Sequence, residues 1–413
     1  MSSSIIRDPS LAPLGRQKIE WASKHMQVLN GIANDMKRTQ ALRGVKIVVS
    51  VHLEAKTAYL AQVLHDCGAE VYATGSNPLS TQDDVAAALS ENGVVVYATH
   101  GCTEQEYHDF QCRALSVKPD VIIDDGGDMM TLLHDEHPEW AVNLRGGCEE
   151  TTTGIIRIRN RAKAGKLNFP MFSINDADCK HLFDNRYGTG QSAWDGIIRT
   201  TNLNVAGSTV VVAGYGWCGK GVSMRAKGLG AKVIVTEVDP VCAIEAVMDG
   251  FTVMPMGEAA ALGDFFITVT GCEHVITPEH MLKMKDGAIL CNAGHFDVEV
   301  DVAGLRAMAK EHHEVRKNIE GYALENGRTI YLLAEGRLVN LAAADGHPVE
   351  IMDMSFALQA ACALRMAQDG QNMKPALYEV PRDIDQDVAR RKLAVLGVKL
   401  DTLTAEQERY LHG

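Results

Sequence analysis

Three glycines with the spacing G-x-G-x-x-G could bind the diphosphate of a dinucleotide. Gly214, Gly216 and Gly219 follow an apolar, β-branched run, Thr209–Ala213, that has the length and composition of a strand. The first glycine permits a tight turn, and the second lets a pyrophosphate approach the backbone. The third lets the next helix pack on the strand with its N-terminus toward the phosphates. The sequence therefore predicts a dinucleotide site here.

An acidic residue, Glu237, ends the second strand of the same unit. A carboxylate in that place accepts hydrogen bonds from an adenosine ribose and repels a 2′-phosphate, which favours NAD over NADP. The alternative is a glycine turn that binds nothing. Because the strand, the glycines, the helix, the second strand and the acid occur in one unit, we favour the NAD site.

Other polar residues also follow predicted strands. His52 follows a strand at 45–51, three aspartates fall in 124–128 after a strand at 120–123, and His295 follows a strand at 288–291. Ligands of open α/β sheets gather at the carboxyl ends of the strands. Each residue alone also fits a structural role, since aspartates beside glycines are common in turns and the threonines at 151–153 can cap a helix.

The bulk composition excludes several functions. The 413 residues are 46% apolar and 23% charged, with ten cysteines and a formal net charge of −13. The negative charge argues against a nucleic-acid or anionic-membrane surface. The chain has no long apolar run for a membrane span and no export signal at its N-terminus, so we expect a cytoplasmic protein. The scattered cysteines are typical of reduced, mostly buried thiols.

The order of predicted elements indicates an α/β protein in which a Rossmann-type NAD-binding domain is inserted in a second α/β domain that binds the substrate. Residues 1–43 are expected to be helical, 145–154 to be a polar segment before a helix, and 175–190 to be a loop-like hinge. A final strand is expected at 330–333 and helices at 349–367 and 384–396, with a capping box at 404–407. The predicted domains are 1–183 and 349–390 for the substrate, 191–345 for NAD, and a short C-terminal segment at 391–413.

Nine short motifs occur in order along the chain: His52-Leu, Ser80-Thr-Gln-Asp, Asp124-Asp-Gly-Gly-Asp, Glu149-Glu-Thr-Thr-Thr-Gly, Lys180-His-Leu-Phe-Asp-Asn, Val212-Ala-Gly-Tyr-Gly, Gly294-His-Phe-Asp, Leu338-Val-Asn-Leu and Gly346-His-Pro. Together they resemble the adenosylhomocysteinase family, over nearly the whole chain. The resemblance implies NAD-dependent hydrolysis of S-adenosylhomocysteine. The ribose 3′-hydroxyl is oxidised, the C4′ proton and homocysteine are eliminated, water adds, and the ketone is reduced again.

The resemblance also implies roles for individual residues. The catalytic set is His52, Asp125, Lys180, Asp184 and His295. The substrate-binding set is Glu54, Lys56, Glu150, Asn185 and His347. The NAD-binding set is Thr151, Thr152, Thr153, Asn185, Gly214, Gly216, Gly219, Glu237 and Asn340, and no metal ligand is implied. Burial beside the cofactor is expected to lower the pKa of Lys180 so that it can take the proton of the 3′-hydroxyl.

Two departures from the family pattern concern the cofactor. Many members end in a lysine- and tyrosine-bearing tail that reaches the NAD of a neighbouring subunit, whereas this chain ends at Gly413, and Tyr410 does not obviously replace that tail. Members are usually tetramers or dimers of dimers, so we expect a homotetramer or a homodimer. A family cysteine near the nicotinamide is Thr189 here. Either a thiol is not required in this position, or Thr189 substitutes for it by hydrogen bonding.

A third departure concerns the purine. The family glutamate that accepts from the adenine 6-amino group is Lys56 here, and a methionine of the base pocket is Asp345. An ammonium only donates hydrogen bonds, so it suits a 6-oxo purine better. Glu54 could still accept from an amine, or could pair with Lys56 and cancel the change. We hypothesise that S-inosylhomocysteine, which some short-tailed members hydrolyse, is accepted.

Two other functions fit the same NAD site. One is an ordinary NAD dehydrogenase with two α/β domains, which would accumulate NADH. The other is an NAD-binding regulatory protein without catalysis. Retention of Lys180, Asp184, Asp125 and His52 together weighs against the second alternative.

Overall fold

The computed structural model describes residues 3–412 and contains two separate β-sheets. The strands, in chain order, are β1 Lys46–Ser50, β2 Glu70–Thr74, β3 Val95–Tyr97, β4 Val121–Asp124, β5 Gly146–Glu149, β6 Met171–Ser173, β7 Thr209–Ala213, β8 Lys232–Thr236, β9 Thr252–Val253, β10 Phe265–Thr268, β11 Ala288–Asn292, β12 Ala309–Arg316, β13 Ile319–Leu324, β14 Thr329–Leu333 and β15 Leu377–Glu379.

The first sheet has seven parallel strands in the order β15-β6-β5-β4-β1-β2-β3. Its longer helices are Ala12–His25, Gln27–Thr39, Ala55–Asp66, Asp83–Glu91, Glu104–Leu115, Asp128–Asp135, Thr152–Lys163, Val349–Asp369 and Arg382–Val395. They cover both faces of the sheet, so its central strands are buried on both sides and consist of apolar runs. The C-terminal helix Ala405–His412 has the expected capping box, because Thr404 and Gln407 bond each other's amides.

The second sheet has eight strands in the order β12-β13-β14-β11-β10-β7-β8-β9. Its helices are Thr189–Thr201, Trp217–Gly228, Pro240–Met248, Met256–Ala259, Pro278–Met281, Val302–Met308 and Val339–Ala342. β15 joins the first sheet after the whole second sheet is complete, which confirms the predicted insertion of a Rossmann-type domain in a second α/β domain. The residue bounds of the domains stay predictions.

Several elements differ from those predicted. The sequence analysis missed β5, β15 and the antiparallel strands β12 and β13. β12 is an exposed edge strand with mostly charged and histidine side chains, so it lacks the apolar run of a buried strand.

The connection expected to be a loop is instead helical. A short helix, Asp178–Lys180, is followed by a π-helix, His181–Gly188, that continues directly into Thr189–Thr201. Aspartate, asparagine and glycine residues in this stretch suggested a loop, but its side chains pack between the two domains. The segment therefore joins the two domains through continuous helical backbone.

Candidate active site

Polar residues gather at the carboxyl ends of three adjacent strands in the first sheet. Asp124 and Glu149 are register partners at the ends of β4 and β5, and Asp125 and Glu150 follow them. His52 follows β1, which pairs with β4 on the other side. The strand order reverses between β1 and β4, so these residues border the crevice where ligands of doubly wound sheets bind.

One cluster places two histidines against Asp125. The Nε2 atom of His52 lies 3.4 Å from Asp125 Oδ2, and the Nδ1 atom of His295 lies 3.8 Å from Asp125 Oδ1. His295 comes from the loop after β11, so the cluster joins the two domains. The donor atoms lie within 4.8 Å of one another, a spacing that could hold a metal ion. The absence of a metal ligand stays a prediction.

The contacts of His52 fix the orientation of its ring. Nδ1 lies 2.8 Å from Ser80 Oγ, which itself lies 3.0 Å from the Asn77 carbonyl oxygen. The Nε2 atom faces Asp125. Burial lowers the pKa of His52 to about 4, although the Asp125 charge opposes the shift. The imidazole is therefore neutral at pH 7 and can accept a proton.

The lowered pKa of His52 can be measured directly. We expect the His52 ring in the folded protein to titrate near pH 4, because burial disfavours the imidazolium. Nitrogen-15 NMR of selectively labelled histidine, with His52→Gln for assignment, follows this signal between pH 7 and pH 3. A midpoint near the unperturbed value of about 6.5 would contradict the burial argument.

A second cluster surrounds Lys180. Its ammonium donates to Asn185 Oδ1 at 2.7 Å, and it lies 3.5 Å from Asp184 Oδ2 and 3.6 Å from Glu150 Oε1. Asn175 Oδ1 lies 3.5 Å away. All five side chains are buried. The π-helix positions three of them, since Lys180 precedes it and Asp184 and Asn185 lie within it.

The pKa of Lys180 is raised, which is opposite to the shift predicted from the sequence. Burial by itself lowers this pKa, but the carboxylates of Asp184 and Glu150 favour the ammonium more strongly. The prediction considered burial and the cofactor charge and omitted the two acids. Lys180 is therefore an ammonium ion in this structure.

The two acids beside Lys180 differ in their remaining capacity to accept hydrogen bonds. Asp184 accepts from His347 Nδ1 at 2.5 Å and from Ser355 Oγ at 2.7 Å. One oxygen of Glu150 accepts from Gln359 at 2.6 Å, whereas its other oxygen is buried and accepts no hydrogen bond from the described residues. Burial raises the pKa of Glu150 to about 7, against the opposing charge of Lys180. Glu150 therefore retains acceptor capacity for a substrate hydroxyl.

The sequence analysis assigned no role to four hydroxyl and amide side chains in these clusters. Ser76 donates to Asp125 at 2.9 Å, and Ser80 bonds His52. Ser355 and Gln359 donate to Asp184 and Glu150, respectively, from the helix Val349–Asp369. Polar residues at i and i+4 within an otherwise apolar helix were the available signal.

Two further acids have structural roles. Asp124 accepts from amides in the first turn of the helix Asp128–Asp135, and burial raises its pKa to about 7. Glu149 accepts from the amides of Gly126 at 2.9 Å and Thr151 at 3.0 Å. The Thr151 side chain makes no capping hydrogen bond. The suggestion that threonine hydroxyls cap this helix is therefore wrong for Thr151, the residue at the N-cap position.

The expected purine pocket contains a buried ion pair. Lys56 Nζ lies 2.7 Å from Glu54 Oε2 and donates to the Asp345 carbonyl at 2.9 Å. Glu54 also accepts from the amides of Lys56 and Thr57. The Asp345 carboxylate is exposed and lies 3.4 Å from Arg199. The expectation that the Asp345 side chain belongs to the base pocket is therefore wrong, because only its backbone carbonyl reaches Lys56.

The glycine loop has the geometry that a pyrophosphate requires. Gly214 has φ +104°, and a Cβ at Gly219 would lie 2.0 Å from the Gly214 carbonyl oxygen. A Cβ at Gly216 would meet no atom within 4 Å, so that residue faces open space at the start of the helix Trp217–Gly228. These contacts match the three separate reasons for glycine in a dinucleotide loop.

The other predicted cofactor residues lie around this loop and the crevice. Glu237 accepts from the amides of Tyr215 and Val238, both at 2.6 Å, and is held at the end of β8. Asn340 donates to Ser192 at 3.1 Å, while its buried carbonyl oxygen has no hydrogen-bond partner among residues 3–412. The three predicted threonines, Thr151, Thr152 and Thr153, start the helix after β5. The amide acceptor of Asn340 and the open glycine loop fit a nicotinamide dinucleotide.

The fold and the site define a dinucleotide-dependent enzyme of two α/β domains, with buried acid–base residues between them. Residues 3–141 match the family model described as S-adenosyl-L-homocysteine hydrolase, and residues 185–346 match its NAD binding domain. The chain therefore belongs to the S-adenosyl-L-homocysteine hydrolase family, and its second domain binds NAD.

Individual relatives agree over nearly the full length. The chain is 57% identical to an adenosylhomocysteinase of Thermococcus kodakarensis, over 98% of this chain and 96% of that protein. It is 55% identical to an S-inosyl-L-homocysteine hydrolase of Methanocaldococcus jannaschii, over 98% of both chains. No helix within residues 3–412 is long and apolar enough to cross a membrane.

Proposed function

We propose that this protein catalyses the reversible, NAD-dependent hydrolysis of S-adenosyl-L-homocysteine, or of its deaminated analogue S-inosyl-L-homocysteine, to the nucleoside and L-homocysteine. The observation that carries this proposal is the convergence of Lys180, Asp184, Glu150, Asp125 and His52 in one buried crevice beside the NAD-binding domain. Membership of the family supports it.

The NAD set comprises the glycine loop, Glu237 for the adenosine ribose, and Asn340 for the nicotinamide amide. When bound, NAD would serve as a reversible acceptor of the hydride from the 3′ carbon of the substrate ribose. The residues of the chain supply the remaining chemistry, which is the binding of the ribose and the movement of protons.

Glu150 and Asp184 hold the ribose hydroxyls, and Lys180 exchanges the proton of the 3′-hydroxyl. The free oxygen of Glu150 is the acceptor best placed for a hydroxyl, because both oxygens of Asp184 already accept hydrogen bonds. Lys180 must lose one proton before it can take another. Glu150, 3.6 Å away with a pKa raised by burial to about 7, is the neighbouring acid that can hold that proton.

His52 and Asp125 handle the protons on the opposite side of the sugar. His52 is neutral at pH 7, its Nδ1 atom contacts Ser80, and its Nε2 atom lies 3.4 Å from Asp125 Oδ2. We assign to this pair the removal of the C4′ proton and the protonation of the leaving sulfur or the activation of water. His295 closes over Asp125 from the second domain and limits access to this side.

The geometry of the purine pocket supports acceptance of hypoxanthine. An ammonium has three donors, and Lys56 uses two of them on Glu54 and the Asp345 carbonyl. One donor remains for the oxygen of a 6-oxo purine. Relatives named for the adenosyl and for the inosyl substrate are almost equally identical to this chain, so overall identity does not decide the base.

The deciding experiment measures homocysteine thiol release by the purified protein from the adenosyl and inosyl thioethers, together with the content of bound NAD. We expect thiol release from both substrates, a larger kcat/KM for the inosyl compound, and no net NADH after full turnover. Net NADH accumulation would support a dehydrogenase. Bound NAD without thiol release would support a regulatory protein. A large adenosyl preference would contradict the assignment of the base.

We also propose a cytoplasmic homotetramer or homodimer acting in the methyl cycle of one-carbon metabolism. An exposed apolar surface in the second domain supports the assembly, since the side chains of Val238, Val241, Ile244 and Met248 are largely exposed around the helix Pro240–Met248. Light scattering during size-exclusion chromatography measures the mass of the assembly, and a monomer at micromolar concentration would contradict it.

A further inference from the structure

A line of hydrogen bonds connects the glycine loop with Lys180. The Cys218 thiol lies in the first turn of the helix Trp217–Gly228 and donates to Thr189 Oγ1 at 3.6 Å. Thr189 Oγ1 lies 3.3 Å from His347 Nε2, and His347 Nδ1 lies 2.5 Å from Asp184 Oδ1. The other oxygen of Asp184 lies 3.5 Å from Lys180 Nζ.

The donors and acceptors in this line have one consistent assignment, in which each residue donates to the next one from Cys218 to Asp184. Asp184 accepts at both oxygens, so His347 Nδ1 must carry a proton. In the neutral ring, Nε2 is then an acceptor, and the Thr189 hydroxyl is its donor. That hydroxyl oxygen in turn accepts from Cys218. Burial raises the pKa of Cys218, so it remains a thiol and keeps its proton.

The packing around His347 keeps the line in place. Thr189 and Asp184 are buried. A Cβ at Gly188 would lie 2.8 Å from His347 Nδ1, so the absence of a side chain at this position admits the ring. Thr189 begins the helix after the π-helix, whereas His347 precedes the helix Val349–Asp369. The contact between Thr189 and His347 therefore ties together the two places where the chain crosses between the domains.

We propose that Thr189 is a positioning residue that fixes the tautomer of His347 and thereby orients Asp184 against Lys180, with Cys218 supporting it from the glycine loop. This inference rests on the proposed function. Through these contacts, the conformation of the glycine loop is coupled to the orientation of Lys180. The line uses Thr189 in place of the cysteine typical of the family, and it places a thiol one contact further away, at Cys218.

The first test is spectroscopic and uses the unmodified protein. Nitrogen-15 NMR of labelled histidine, assigned with His347→Gln, reports the tautomer of His347. We expect a proton on Nδ1 and an unprotonated Nε2 at pH 8. In Thr189→Val, which keeps the shape and removes the hydroxyl, we expect the Nε2 signal to move toward the value of an unbonded nitrogen. A proton on Nε2 in the unmodified protein would overturn the proposal.

The second test is kinetic. We expect Thr189→Val to slow the single-turnover reduction of bound NAD at 340 nm by about 10-fold with KM nearly unchanged, as loss of a residue that orients a catalytic group does. Thr189→Ser restores the hydroxyl and should restore the rate, and Cys218→Ala should cost less than Thr189→Val. Equal rates for the valine and serine variants would overturn the proposal. If the unmodified protein releases no thiol, the proposed function fails, while the tautomer measurement still decides the hydrogen-bond line.

Discussion

Replacement of Lys180 by methionine is expected to lower homocysteine release by at least about 10²-fold, the range in which general acid–base groups contribute. A methionine side chain has a similar volume but has no ionisable group that can exchange a proton. Lys180 is not in the NAD-binding set, so binding of NAD should be retained. A thiol assay and the absorbance of released dinucleotide measure the two quantities.

The same variant has a distinctive dependence of stability on pH. Removal of the ammonium leaves two buried acids without a cation, and breaking a buried pair in this way costs about 3–5 kcal/mol. Burial raises the pKa of Glu150 to about 7, so this acid takes up a proton when the pH falls and relieves the repulsion. Relative to the unmodified protein, Lys180→Met should therefore be less destabilised at pH 6 than at pH 8 in urea unfolding.

The control for Lys180→Met is Lys24→Met, in which the lysine is exposed on the helix Ala12–His25. This control should leave both activity and stability unchanged. Thiol release by Lys180→Met within 10-fold of the unmodified rate would contradict the assignment of Lys180 as the residue that exchanges the hydroxyl proton.

Replacement of Lys56 by glutamine is expected to change the preference between the two purines. Glutamine presents both a donor and an acceptor, and its neighbour Glu54 is released from the ion pair. The ratio of kcat/KM for the inosyl over the adenosyl substrate should fall by about 10²-fold or more, because the glutamine carbonyl and the released Glu54 can both accept from a 6-amino group, which an ammonium cannot do. Steady-state thiol release from both substrates measures this ratio.

The chain offers a matched control in Asp345→Ala. The Asp345 carboxylate is exposed near Arg199, whereas its carbonyl accepts from Lys56. Removing the side chain keeps the carbonyl, so the ratio should stay unchanged. If Lys56→Gln and Asp345→Ala have the same ratio as the unmodified protein, Lys56 does not read the purine.

The nucleotide loop and the gathering of polar residues at strand ends were predictable from the sequence. The glycines have separate local reasons, and parallel strands bring their carboxyl ends to one edge whatever the details of packing. That rule predicted His52 and Asp125 at one edge of the sheet, whereas Glu150 follows β5, a strand that the sequence did not reveal. The pairing of His295 with Asp125 required the relative position of two domains, which a sequence pattern does not contain.

The elements that were missed had weak local signals. β5 has the sequence Gly-Gly-Cys-Glu, which strand propensity disfavours. A Cβ at Gly147 would lie 2.5 Å from Ile122 Cγ1 and 2.8 Å from Met171 Sδ, so the neighbouring strands require glycine there. The direction of the Lys180 pKa was missed for a similar reason, since it depends on two acids brought in by tertiary contacts.

The π-helix His181–Gly188 limits the insertions and deletions that the chain can accept. Lys180 stands at one end of it and Thr189 at the other, with helical backbone between them. Inserting or deleting a single residue would rotate one end relative to the other by roughly a quarter of a turn, somewhat less than the turn per residue of an α-helix. Substitutions that keep the spacing preserve both ends, whereas a gap of one residue turns the lysine away from its acids. The number of residues in this segment therefore matters more for the position of Lys180 than the identity of most of them.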